Sequence, residues 1–287
     1  IEIEWSARIS ALKMDEPSWT RGCAQVAADE RELRDMMKEL AKHAKTRTPL
    51  KSNLLSYHLF ENSCTGDQHK TYIEPLVSFL RHPLSLCFEG SILDKSYLLV
   101  PYVQDLPLIH SYKWLFDAGA STYDTGAGGA SQSWFVDNYR ARGIEFDRII
   151  GWEAAPTDPL VQWNSVPADI KRKTSWLNIP ITIELGGADN PLTFIKCLAT
   201  KEDFVVFKLD IDTPEVEVEI VQQIMNDPEL WELIDEFYFE HHVKGSPMQW
   251  NGWGDLRGLK TPLADIQDSY DLFGFLRAKG IRAHSWV

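Results

Sequence analysis

From residue 204 the chain reads Phe-Val-Val-Phe-Lys-Leu-Asp-Ile and then, one residue later, Thr-Pro-Glu. An apolar run of that length suits a strand buried on both faces, and such strands belong to parallel sheets covered by helices on each side. Thr213 followed by Pro214 and Glu215 is a helix start, with a capping side chain and then proline at the first helical position. A strand that feeds straight into a helix is the repeating unit of an α/β fold. The pattern recurs from about residue 96 to the end of the chain. Tyr97–Val103, Trp114–Ala118, Asp147–Glu153, Trp176–Ile183 (interrupted by Pro180), Leu233–His241 and Ile281–Val287 read as strands. Helices are expected from Ser131 to Arg142, from Asp158-Pro159, from Asn190-Pro191, and from Pro262 to Lys279 between Thr261 and Gly280. Strand and helix in alternation predict a largely parallel sheet. Residues 1–95 read as an N-terminal extension packed on a core domain of residues 96–287. Its clearest element is an amphipathic helix at about 27–45, with Leu33, Met36, Met37 and Leu40 on one face.

Composition narrows the partners. Hydrophobic residues make up 44% and charged residues 25% of the 287, as in a folded globular chain. The net charge is −13, and the one dense basic cluster is Lys171-Arg172-Lys173. Binding to nucleic acid through counterion release needs more clustered Lys and Arg than that, so neither nucleic acid nor an anionic membrane is an expected partner. No apolar run approaches the roughly 18 residues of a membrane span, so this segment is expected to be soluble. The chain opens on Ile1, which leaves open a leader or anchor upstream, and the sequence does not assign a compartment. Cys23, Cys64, Cys87 and Cys197 are scattered and form no CxxC, which argues against a zinc ribbon or thioredoxin-like site. Cys64 and Cys87 are the one pair considered for a disulfide.

In a parallel sheet the ligand lies beyond the carboxyl ends of the strands, where strand order reverses. That rule singles out Asp117, Glu153, Asp210, Asp212, Glu240, His241 and His242. Phe116-Asp117-Ala118-Gly119-Ala120-Ser121 gives a strand and a glycine turn, the opening of a nucleotide site. It is neither GxGxxG nor GxxxxGK[ST], so a P-loop is excluded. Glu153, ending the next strand, is placed to accept ribose hydroxyls. Asp210 and Asp212 share a strand face if the strand continues to 212. Two carboxylates so close call for a cation, and a hard divalent ion (Mg or Mn) suits them, with His242 as a further ligand. One imidazole of Glu240-His241-His242 faces the ligand edge as general base, and His241 is the choice. The loop carrying Trp250 and Trp253 reads either as a ring-substrate wall or as a plug at the end of the core.

Taken together, FDAGAS, IIGWEA, VVFKLDIDTPEVEVE and LIDEFYFEHH resemble the FkbM-type methyltransferases, a branch of the Rossmann-like S-adenosylmethionine-dependent enzymes. The similarity covers about 113–242. It implies a seven-stranded, mostly parallel sheet with one antiparallel strand near the C-terminus. It also implies that Asp117, Gly119 and Ser121 line the methionine end of the cofactor and that Glu153 holds its ribose. By the same carry-over Asp210 sits by the sulfonium and Glu240-His241 beside the acceptor. Thr122–Ala130 is extra length between Asp117 and Glu153, a lid or a plug, and Thr213-Pro214 stands where the family has glycine.

The expected activity is S-adenosylmethionine-dependent methylation of a hydroxyl on a sugar or other polar small molecule, with His241 as base and Asp210 beside the methyl group. Two alternatives are carried. One is a metal-dependent glycosyltransferase using Asp210-Ile211-Asp212 as a D-x-D. The other is an inactive methyltransferase-like assembly protein whose cleft is filled by Trp134, Tyr123 or the inserted loop.

Overall fold

A computed structural model describes residues 56–61, 68–74, 95, 98–106, 112–124, 131–250 and 252–286, with scattered positions before 45. The expected helix at 27–45, the 95/96 boundary, and Cys23, Cys64 and Cys87 lie essentially outside the described residues. Cys197 is a free, exposed thiol.

The described part begins with an antiparallel hairpin, β1 (Ser56–Glu61) and β2 (Gln68–Ile73). The main sheet follows. Its strands are β3 (Lys113–Ala118), β4 (Arg148–Trp152), β5 (Thr174–Leu177), β6 (Phe204–Leu209), β7 (Glu236–Phe239) and β8 (Arg282–Ser285). Its helices are α1 (Ser131–Arg140), α2 (Pro159–Asn164), α3 (Ala168–Lys171), α4 (Pro191–Leu198), α5 (Pro214–Asn226), α6 (Pro228–Leu233) and α7 (Ile266–Ala278). The spatial order is β5-β4-β3-β6-β7-β8, and every neighbouring pair is parallel. Counted from its first strand this is the order 3-2-1-4-5-6 of doubly wound nucleotide-binding sheets, with the reversal between β3 and β6.

All six residues of β6 are buried, Lys208 among its five apolar neighbours included. Alternation sends Val205, Phe207 and Leu209 to a core shared with α4, α5 and α7. Phe204 and Val206 go to the opposite core, against Phe135, Val136 and Tyr139 of α1. Each such side chain contributes about 1.5–3 kcal/mol of transfer free energy, so β6 is the keel of the fold. Two helix starts follow the sequence signals in full, Asp158 and Asn190 each accepting a backbone N–H ahead of a proline, and Asp227 does the same at α6; Thr213 stands at the N-cap of α5, but its side chain does not cap the helix and its hydroxyl donates to the Ile211 carbonyl.

The structure corrects several expectations. The antiparallel strand is absent from the described sheet: β8 runs parallel to β7, with Glu236 opposite Arg282. The whole of α7 lies between the two, and a helical crossover of that kind is what parallel pairing requires. Among the described residues the sheet therefore has six strands rather than seven. Residues 98–102 form no strand, because Pro101 cannot donate to a ladder; Leu98, Leu99 and Val100 are nevertheless buried. α7 starts at Ile266, not Pro262. Leu263 has φ +58°, which no helix tolerates, and Asp265 and Asp268 form a capping box at the true start. No described helix is long and apolar enough to cross a membrane.

The hairpin is fastened to the sheet edge by buried charge. Arg282 Nη1 donates to Thr71 Oγ1 and to the Tyr72 carbonyl, both at 2.8 Å. Glu74, just past β2, accepts the Leu99 N–H at 2.9 Å and pairs with His284 Nδ1 at 2.7 Å.

Candidate functional site at the switch point

A cavity of about 430 Å³ opens at the carboxyl ends of β3, β4 and β6, at the reversal point. Gly119 makes it possible. Its φ is +82°, and a Cβ there would stand 1.5 Å from the Asp210 carbonyl oxygen. Glycine alone lets the turn after β3 lie this close to the end of β6. Two hydrogen bonds pin the turn: the N–H groups of Gly119 and Ala120 both donate to the Trp152 carbonyl, at 3.0 and 2.9 Å.

Gly119, Ser121, Glu153, Asp210 and Asp212 all line the cavity. Five of the sequence-predicted residues therefore come together. Ser121 has φ +46°, and its N–H donates to Glu153 Oε2 at 2.9 Å. Glu153 Oε1 accepts the Ala155 N–H at 2.7 Å. Each oxygen keeps a second lone pair, so the carboxylate is oriented by backbone and remains able to accept from a ligand. The far wall is apolar, from Trp152, Ile179, Pro180 and Ile181.

Asp117 does not reach the cavity, contrary to the expected cofactor contact. It is fully buried and lies 3.2 Å from Lys208 Nζ. Lys208 is 1% exposed. It also pairs with Asp210 at 3.2 Å and donates to the Gly119 carbonyl at 2.6 Å. Alternation explains the grouping, since β3 and β6 are in register with Asp117 opposite Lys208. Burial alone drives the Lys208 pKa down, but the two carboxylates more than reverse that, so it stays an ammonium. Burial likewise pushes Asp210 up. Lys208, Glu240 and the Trp286 indole outweigh it and leave Asp210 below its ordinary value, ionised. Trp286 Nε1 donates to Asp210 Oδ2 at 3.0 Å. Asp117 is raised by burial against the pull of Lys208.

β6 ends at Leu209, so Asp210 and Asp212 do not share a strand face. Asp212 instead occupies a left-handed turn with φ +54°, a conformation that aspartate adopts more readily than most residues. There it meets Glu240 and His242: one donor atom from each of the three lies within 4.8 Å of the others. Of the expected metal set Asp210, Asp212 and His242, two stand together. Asp210 is bound to Lys208 and Trp286, and Glu240 takes its place.

His241 is turned away from the cavity. Its Nδ1 hydrogen-bonds the Ser269 hydroxyl of α7, and its ring stacks on Phe239. Burial lowers its pKa to about 3, so it is a neutral core histidine and no base for this cavity.

Sequence reasoning missed Lys208, Glu217 and Trp286 among the side chains that hold the site, and read Trp253 only as a ring-substrate wall or a plug. Lys208 was detectable, since a lysine inside a fully apolar strand needs buried anionic partners. Trp253 donates its indole N–H to Glu240 Oε1 at 2.8 Å and lies 4.4 Å from the His242 ring. Glu217 accepts the Ile211 N–H at 2.8 Å and faces His242 Nδ1 at 3.3 Å. Trp286 gave no local signal. Trp134 and Tyr123, the side chains that one alternative would place in the cleft, pack instead on the α1 face of the core and do not line the cavity; residues 125–130 of the inserted loop, the other candidate plug, lie outside the described residues.

A scan against protein-family models, a search of curated proteins and a search of solved structures each return no match for this chain.

Proposed function

We propose that the chain is an S-adenosylmethionine-dependent methyltransferase acting on a hydroxyl of a sugar or other polar small molecule. The observation that carries the reading is the charge of the cleft. Glu153, Asp210 and Asp212 line it, and among the described residues no lysine or arginine does. A nucleotide diphosphate in a doubly wound sheet needs donors or cations around its phosphates. This cleft offers carboxylates instead, which suit a cationic sulfonium and weigh against a nucleotide-sugar diphosphate. Its volume falls within the usual range of about 300–1,000 Å³ for small-ligand sites.

In this reading Ile179, Pro180 and Ile181 would wall the adenine, and Glu153 would accept the ribose hydroxyls. Asp210 faces the sulfonium. Lys208 takes one negative charge from the buried Asp117–Asp210 pair and leaves one for the ligand. The acceptor oxygen approaches from the Asp212 side. The cofactor would supply an activated methyl group, the C–S electron pair returning to sulfur as an O–CH₃ bond forms, and Asp212 and the acidic rim would hold the acceptor oxygen and take its proton. Holding the three atoms in line accounts for up to roughly 7–11 kcal/mol of the barrier.

The test is calorimetric titration with S-adenosylmethionine of the wild type and Glu153→Gln. Wild type binds one equivalent, and the variant binds about 10- to 100-fold more weakly, the range expected for losing a hydrogen bond to a charged acceptor. Absence of binding to the wild type, or equal affinity in both, removes the reading.

A further inference from the structure

Beside the cleft, Asp212, Glu240 and His242 close on one point, and the two groups behind them are incompletely satisfied. His242 is 6% exposed and Glu217 1%. His242 Nδ1 and Glu217 Oε2 are both buried without a hydrogen-bond partner, and they stand 3.3 Å apart. Glu217 is fixed from the other side by the Ile211 N–H. A carboxylate so placed selects the tautomer with its proton on Nδ1, which leaves the Nε2 lone pair to face outward. Nε2 lies 3.9 Å from Glu240 Oε2, too far for a hydrogen bond. Donors about 2.0–2.2 Å from a shared ion stand about 3–4.4 Å apart. Trp253 closes over the imidazole and holds the other oxygen of Glu240.

We infer that Asp212, Glu240 and His242 Nε2 form a binding site for one divalent transition cation, with Glu217 as the residue that orients the imidazole. One imidazole and two carboxylates are a mixed nitrogen–oxygen set. It suits Mn(II) or Zn(II) better than Mg(II) or Ca(II), which take oxygen ligands. Asp212 is exposed, and through it the ion borders the cleft. The inference stands on these side chains; only the ion's role in methylation rests on the reading above. There the acceptor hydroxyl binds the ion and loses its proton to water more readily. The resulting alkoxide takes the methyl group, and neutral S-adenosylhomocysteine leaves.

The experiment titrates MnCl₂ into the full chain with no S-adenosylmethionine present, followed by electron paramagnetic resonance of free Mn(II) and by calorimetry. Wild type is expected to bind one ion. Asp212→Asn is expected to weaken binding at least tenfold, on the order of the loss of one ligand. Asn is tolerated at positive φ and the position is exposed, so this variant keeps its fold, which circular dichroism checks. Glu217→Gln is expected to weaken binding about 10- to 100-fold as a second-sphere change. MgCl₂ is expected to compete poorly. No saturable Mn(II) binding by the wild type overturns the site, as does an affinity that Asp212→Asn leaves unchanged. Because the cofactor is absent from the cell, failure here and failure of the adenosyl reading are separate results.

Discussion

Lys208 is the residue on which the site's charge balance turns. It lies on β6 among five apolar neighbours, and it touches Asp117, Asp210 and the Gly119 carbonyl at once. Taking an ammonium and two carboxylates out of water costs several kcal/mol per ion, and it is their mutual contact that offsets this. Lys208→Met preserves the apolar stem and removes the charge. The variant leaves Asp117 and Asp210 facing each other without a countercharge, and removing one partner of a buried pair costs about 3–5 kcal/mol. Urea denaturation is expected to show that loss at neutral pH. Part of it should be recovered in the double variant with Asp117→Asn, which removes the stranded charge. A single variant as stable as wild type would mean that the triad holds nothing together. The lysine itself was legible in Phe-Val-Val-Phe-Lys-Leu. Its partner was not, because Asp117 is 91 residues earlier and becomes its neighbour only through the β3–β6 register.

At the scale of elements, local signals did well where they were self-contained. The run at 204–209 and the Asp-Pro, Asn-Pro and Thr-Pro starts specify their strand and helices without help from the rest of the chain. Strand ends were less legible. β7 stops at Phe239, so His241 and His242 follow irregular backbone, and period-two alternation cannot say which one faces the ligand edge. The parallel β8 was likewise invisible, since its orientation depends on where α7 delivers the chain. β8 also carries Arg282 and His284, which fasten the hairpin. His284 is fully buried between Glu74 at 2.7 Å and Glu236 at 3.4 Å. Burial works against its charge, but the two carboxylates prevail and raise its pKa above the ordinary 6.5. Glu74 is held down at about 2, with burial opposing and His284 and Arg277 prevailing. The signs then differ. The His284 contribution is complete below pH 6.5 and disappears as pH rises through its folded pKa. The Glu74 contribution is complete above 4.5 and is lost as pH falls toward 2. Between pH 4.5 and 6.5 both operate. His284→Gln is therefore expected to cost the most stability in that window and progressively less above it. Denaturation midpoints of the two proteins across pH 4.5–9 measure the difference; a constant gap would show that His284 has the same pKa folded and unfolded, and a gap that shrinks below pH 6.5 would show that it is neutral in the native state.

The whole molecule carries −13, and its cleft repeats that sign locally. A doubly wound sheet with its strands in the order 3-2-1-4-5-6 is by itself indifferent to ligand; the same reversal point serves dinucleotides, flavins and adenosyl groups, so architecture alone could not choose among them. Charge can. A carboxylate-lined site inside an acidic protein repels phosphates over a distance set by salt, with a screening length near 30 Å at 0.01 M falling to about 3 Å at 1 M. S-adenosylmethionine should therefore bind most tightly at low ionic strength and a few-fold more weakly in 1 M NaCl. Its neutral product, S-adenosylhomocysteine, should change much less across the same range, because its sulfur lacks the positive charge that the proposed function assigns to Asp210. In the metal-free protein, NAD and nucleotide-sugar diphosphates should fail to compete at low salt, where repulsion is strongest. Equilibrium dialysis with all these ligands at both salt concentrations separates the outcomes. Tight, salt-insensitive binding of a diphosphate at this cleft would show that some other group neutralises the phosphates, and the assignment of Glu153 and Asp210 to a cationic ligand would then be wrong.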